Sequence, residues 1–203
     1  MKIPHKELER VRRNPTIYRG VNFGLGHAFS RYPTASMFRL ALMEYHKSNL
    51  IAAAISYFET SFDAHRKETK ANEETRDEFI NYLTRYDESY NDLGVSTFKA
   101  FARIAIPLNR QVLLSGEVLR IDIIPQGGYS TYILEKESRE WRNELRMPLI
   151  QGFLSNELNC RPGEMRVGMY FYQSGIHLST TYASKEIRRA VEEASEIADI
   201  LAQ

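Results

Sequence analysis

The chain has 203 residues, 43% hydrophobic and 26% charged, with a net charge of +1; this is the make-up of one globular unit with a single sizeable core and excludes a disordered chain or a fibre. No run approaches the roughly eighteen apolar residues of a membrane helix, and the opening MKIPHKELERVRRNP has no apolar stretch behind its charges, so no signal peptide or membrane anchor is expected and the cytoplasm is the expected location. Cys160 is the only cysteine, which excludes an internal disulfide and any four-cysteine zinc or iron–sulfur site built by this chain alone.

In chain order, Pro4 suits the first turn of a helix carrying Leu8 and Val11, which stops near Asn14-Pro15 because a residue before proline avoids the helical region. Basic residues gather here: residues 1–50 carry 9 bases against 3 acids, and residues 51–100 carry 6 against 10. Arg10, Arg12, Arg13 and Arg19 either face the phosphates of a nucleic acid or decorate a solvated helix face. A loop punctuated by Gly and Pro runs through Pro33, and its FGLGH stretch lacks the strand and the Gly-Lys-Ser/Thr ending of a phosphate loop. A helix is predicted from Thr34, with Met37, Leu40, Ala41 and Met43 as its apolar stripe. Helices continue to about Tyr90, since Ile51 to Asp92 holds no proline or glycine and spaces its apolar residues helically. Tyr57, Phe58, Tyr82, Tyr86 and Tyr90 in this region either form a contact surface for a protein partner or a second copy, or pack over a sheet.

From Thr97 the period changes. FARIAIPL, QVLLSGEVLRIDII, STYILEK, VGMYFYQ and IHLSTTY are short, rich in β-branched or aromatic residues and bounded by Gly, Pro or Asn, as strands are. A helix lies between the third and fourth, with Leu145, Leu149, Phe153, Leu154 and Leu158 along one side, and a last amphipathic helix spans Ser184 to Ala202. The expectation is one α/β unit over 1–203, with a helical part at 1–95 and a mixed-sheet core at 96–203. His5, His27, His46, His65 and His177 show no metal-ligand spacing and read as surface or satisfied core.

The acids around the central hairpin carry the chemistry. Pro125 to Gly128 supplies a turn, so the strands ending near Asp122 and Glu135 are antiparallel neighbours. Glu137 lies two residues beyond Glu135 and shares its face. Three converging carboxylates repel unless a divalent cation with oxygen ligands neutralises them, and magnesium or manganese fits. The alternative is that Asp122 stands at a strand end while Glu135, Lys136 and Glu137 guard an exposed edge.

A succession of motifs adds to this reading: IPHKELERVRRNPTIYRG, then ASMFRLALMEY, GEVLRID, ILEKE, RMPLI and GMYFY. In that order they resemble the RecB-like branch of the PD-(D/E)XK nuclease superfamily, which includes CRISPR-associated and phage exonucleases. The resemblance covers most of the chain. It implies a restriction-endonuclease-like mixed sheet flanked by helices and a Mg2+- or Mn2+-dependent nuclease acting on DNA, with Asp122 and Glu135 as the metal ligands. Three positions depart from the family pattern, with Arg39 in place of His, Glu137 in place of Lys and Arg146 in place of Gln. Either Glu137 joins the acids and Arg146 near its helix start supplies the missing cation, or the arginines neutralise the acids and the fold serves to bind nucleic acid or a partner protein. Some members hold an iron–sulfur cluster through a cysteine where this chain has Asn14, so no such cluster is expected.

Overall fold

The computed structural model describes residues 1–21 and 33–203. The loop expected before Thr34, with its FGLGH stretch and His27, lies outside the described residues.

The chain opens with a three-residue strand, β1 (Lys2–Pro4), a 3-10 turn and a short helix, α1 (Leu8–Arg13), which ends before Asn14-Pro15. The sequence suggested a helix from Pro4; instead Lys2–Pro4 pair in parallel with Leu113–Ser115 of the second long strand. An isolated three-residue stretch has no local pattern that announces such pairing. Three helices follow: α2 (Thr34–Ser48), α3 (Ile51–His65) and α4 (Lys70–Asp92). α2 begins at the expected Thr34 and closes on Asn49 in the left-handed conformation at φ 56°, one of the few side chains that tolerates it. Thr69 caps α4 by accepting from the Asn72 backbone N–H.

The remaining elements are β2 (Ser96–Pro107), β3 (Leu113–Ile123), β4 (Tyr129–Glu135), α5 (Arg146–Glu157), β5 (Met165–Phe171), β6 (Ile176–Thr180) and α6 (Ser184–Ala202). They form an α/β architecture with one mixed six-stranded sheet. β2, β3 and β4 are an antiparallel meander, α5 crosses over to place β5 parallel to β4, and β6 returns antiparallel on β5. Gly127 and Gly128 turn the β3–β4 hairpin at φ 99° and 87°, conformations that only glycine adopts without strain.

Helices cover both faces. One core gathers α1, α5 and α6 against Val118, Ile121, Ile133, Val167 and Met169. The other gathers α2, α3 and α4 against Leu119, Tyr132, Tyr170 and Tyr172. α5 is buried almost all round, from Arg146 through Gln151, because the sheet lies under it and α6 over it. Of the expected α2 stripe Met37 and Ala41 are buried, while Leu40 and Met43 are only half-buried and Phe38, Leu42 and Tyr45 turn inward instead. Phe58, Tyr82, Tyr86 and Tyr90 are buried, leaving only Tyr57 of the supposed contact surface partly exposed. Those aromatics pack the helices on the sheet.

Candidate functional site

The hairpin register decides which acids meet. Asp122 pairs with Ser130 and Arg120 with Tyr132, so each step forward along β4 is a step back along β3, and Glu135 stands level with Glu117. Five residues separate Ser130 from Glu135, an odd number, so their side chains leave opposite faces of the strand. The distance along the strand is roughly 17 Å at about 3.3 Å per residue. The expected convergence of Asp122, Glu135 and Glu137 is therefore corrected. Asp122 faces the α2–α4 side, Glu135 the α5 side, and Glu137 lies beyond the end of β4, exposed and paired with Lys136 at 3.3 Å. Asp122 and Glu135 do not fit a shared divalent cation, and no group of three or more His, Cys, Asp or Glu suited to a metal occurs among the described residues.

Asp122 is fully buried and belongs to a closed circuit of hydrogen bonds. Arg120 Nε donates to Asp122 Oδ2 at 2.7 Å and Arg120 Nη1 to Tyr86 Oη at 2.7 Å. Tyr86 lies 2.6 Å from His46 Nε2, His46 Nδ1 lies 3.3 Å from Thr97 Oγ1, and Thr97 donates to Asp122 Oδ1 at 3.3 Å. Because Thr97 gives its own proton to Asp122 Oδ1, it can only accept from His46 Nδ1, which assigns the His46 proton to Nδ1 and leaves Nε2 to accept from Tyr86. The Arg120 guanidinium lies 4.7 to 5.4 Å from the ring centroids of Tyr86, Tyr90 and Tyr132, a cation–π enclosure. Burial raises the Asp122 carboxyl above its usual range, against the opposing pull of Arg120 and Thr97. Burial, with Arg120 close by, holds His46 and His177 down to about 3. His177 is half-buried and fits neither half of the surface-or-satisfied-core reading, since among the described residues its Nε2, like Arg120 Nη2, has no hydrogen-bond partner.

Glu135 meets a second buried arginine. Arg146 is 1% exposed; its Nε donates to Glu144 at 2.6 Å, its Nη2 to Glu135 at 3.1 Å and its Nη1 to His5 Nδ1 at 3.0 Å. Arg146 does stand at the start of α5, but it is not a cation free to serve a site, because the segment before α5 folds Glu144 back onto it and Glu135 and His5 hold its other nitrogens. Lys6 and Arg139 reach Glu135 at 3.9 and 3.7 Å. His5, acting as acceptor at Nδ1, carries its proton on Nε2. Burial first, then Arg146 and Lys6, lowers its pKa to about 3. His5 lies so close to Gly116 that a Cβ there would come within 1.9 Å of its ring, so that position admits only glycine.

Arg39 neutralises neither expected ligand. Its Nε donates to Glu117 at 2.8 Å, and its guanidinium sits 5.1 Å from the Phe101 ring centroid. Together they wall a cavity of about 320 Å³ whose lining includes Lys6, Leu119 and Leu134. The cavity opens where the sheet forks: β1 pairs with β3 only through Ser115, and β4 only from Arg120. Phe101 has φ 50°, and the β2–β3 ladder skips it. Opposite this kink β3 loses strict alternation, so Leu119, Arg120 and Asp122 all reach the α2–α4 side.

Of the basic residues near the N-terminus, Arg12 is committed to Glu193 at 2.5 Å and Glu9 at 3.4 Å. Arg10 pairs with Glu7 at 3.2 Å and donates to Tyr18, while Arg13 is exposed. Sequence reasoning passed over Arg120, Glu117, Phe101 and Lys6. Counting the register outward from the Ile124–Gly128 turn would have found Glu117, and the spacing Arg120-x-Asp122 places both on one strand face. Comparison of the sequence with protein-family models and with curated proteins finds no match.

Proposed function

We propose that this chain is a catalytically degenerate nuclease-fold protein that binds nucleic acid without cutting it. The observation that carries the reading is the fate of the two acids. Asp122 is held by Arg120 at 2.7 Å and Glu135 by Arg146 at 3.1 Å, on opposite faces of the sheet. A guanidinium that satisfies a carboxylate removes the negative charge that attracts a divalent ion, and magnesium and manganese need several oxygen ligands about one point. The order hairpin, helix, strand supports the nuclease-fold part of the reading, since the resemblance runs through GEVLRID and ILEKE, then RMPLI, then GMYFY, which lie on β3, β4, α5 and β5. The binding part rests on Lys6, half exposed at the cavity rim, and Arg13, exposed on α1. Exposed cations of this kind take phosphate oxygens with a salt-dependent affinity.

The test is an assay on end-labelled single- and double-stranded DNA with magnesium, manganese or EDTA. The expected result is retention of DNA that weakens with salt and no cleavage in any condition. Glu137→Lys, which restores the family's residue, is expected to stay inactive because position 137 lies beyond β4 and 67% exposed. Metal-dependent cleavage that Glu135→Gln abolishes would overturn the reading.

A further inference from the structure

We infer that the cavity at the fork of the sheet holds one unpaired nucleotide of a single strand, an inference that deepens the nucleic-acid reading above and rests on it. Three independent features point there. The first is backbone strain. Phe101 is the one bulky apolar residue among the described residues with positive φ, at 50°, and a side chain of that size in the left-handed region is held against an energetic cost that concentrates at ligand clamps. The second is the match of surfaces. A base needs apolar or π faces above and below and a cation near its phosphate. Phe101, with the Arg39 guanidinium over its ring at 5.1 Å, supplies one flat wall, Leu119 and Leu134 an apolar floor, and Lys6, half exposed, an ammonium at the rim. The cavity, about 320 Å³, lies at the small end of ligand-pocket sizes, which run from about 300 Å³. The third is the fork itself. Between Ser115 and Arg120 the edge of β3 toward β4 has no strand partner among the described residues, so the main-chain polar groups there, apart from that of Glu117, which His5 takes, border the cavity and can take the polar edge of a base.

Glu117 is the acid in the lining. It is already bound by Arg39 through Nε and Nη2, so the pair presents a hydrogen-bonded plane rather than a bare negative charge. A base-paired duplex cannot place a base in a cavity of this shape without unpairing it, whereas a single strand presents bases freely, and stacking on an aromatic ring tolerates any base.

The experiment is a fluorescence anisotropy titration of the full chain with a labelled 12-nucleotide single strand, the blunt duplex of the same sequence and the corresponding free mononucleotides as competitors. The single strand is expected to bind about tenfold or more tighter than the duplex. Phe101→Leu, which keeps apolar volume and removes the π face, is expected to lower single-strand affinity about tenfold and leave duplex affinity unchanged, while Phe101→Tyr retains both; thermal melting checks that each variant is folded. Equal affinity for strand and duplex, or full retention by folded Phe101→Leu, would overturn the pocket while leaving the nucleic-acid reading standing. Competition by a free mononucleotide at the same concentration as the oligonucleotide overturns the strand as its source. Absence of binding to either DNA overturns the parent reading itself.

Discussion

Arg120 and Arg146 are both shut off from solvent, one on each face of the same sheet, yet they are built differently. Arg120 has a single carboxylate, Asp122, and three aromatic rings around it. Arg146 has two carboxylates and a histidine, and those carboxylates are shared with Lys6 and Arg139 at the surface. The difference teaches that a buried charge is fragile in proportion to how few partners it has. The Arg120 circuit is internal and closes on itself, whereas the Arg146 network is redundant and reaches the cavity through Lys6.

The sharpest way to break the comparison is Asp122→Ala, which leaves the Arg120 charge buried and unpaired. It is expected to cost about 3–5 kcal/mol in urea unfolding, and the double change Arg120→Met with Asp122→Leu is expected to recover most of that loss. A stable Asp122→Ala would show that the circuit does not hold the fold. The same result governs any cleavage assay, since loss of activity in that variant would report unfolding.

Acid comes next, because it strikes both networks. His5, His46 and His177 have pKa values lowered to about 3 from 6.5. Above pH 6.5 both folded and unfolded chains carry them neutral, and no stability depends on them. Between 6.5 and about 3 the unfolded chain takes up protons that the folded chain refuses, so stability falls with pH by about 1.4 kcal/mol per pH unit for each histidine. The histidines should contribute three protons to acid unfolding, offset by the proton that the raised Asp122 carboxyl holds when folded, and His177→Phe should remove one and move the midpoint to lower pH. Nitrogen NMR at neutral pH should find the His46 proton on Nδ1 and the His5 proton on Nε2. The opposite tautomer at His46 would break the circuit as drawn.

Arg146→Met should cost less than Asp122→Ala, about 1–3 kcal/mol, because Glu144 keeps Arg139 at 2.5 Å and Glu135 keeps Lys6 and Arg139. A larger loss than that of Asp122→Ala would reverse the comparison. The smallest effect is expected at Arg12→Ala. Its pair with Glu193, about one-third exposed on each side, joins α1 to α6 and should contribute up to about 1 kcal/mol, fading in molar salt as surface charges are screened.

What the sequence by itself determined was the local grammar. The helices at Thr34 and Ser184, the end of α1 before Asn14-Pro15, the five long strands and the crossover helix were all legible, because helix and strand periods, caps and turn residues act over a few neighbours. The turn at Gly127-Gly128 even announced that β3 and β4 are paired. Tertiary structure alone decided where each side chain went. The pairing of Asp122 with Ser130, the five-residue step to Glu135 and the kink at Phe101 turned an expected cluster of three carboxylates into two separate arginine-bound acids. β1, too short to carry a pattern, found its place only because β3 offered it an edge. Residues that meet across a sheet are chosen by register, and a shift of one residue exchanges the faces; periodicity places an acid on a strand, whereas the partner strands and the helices packed on them decide what it touches.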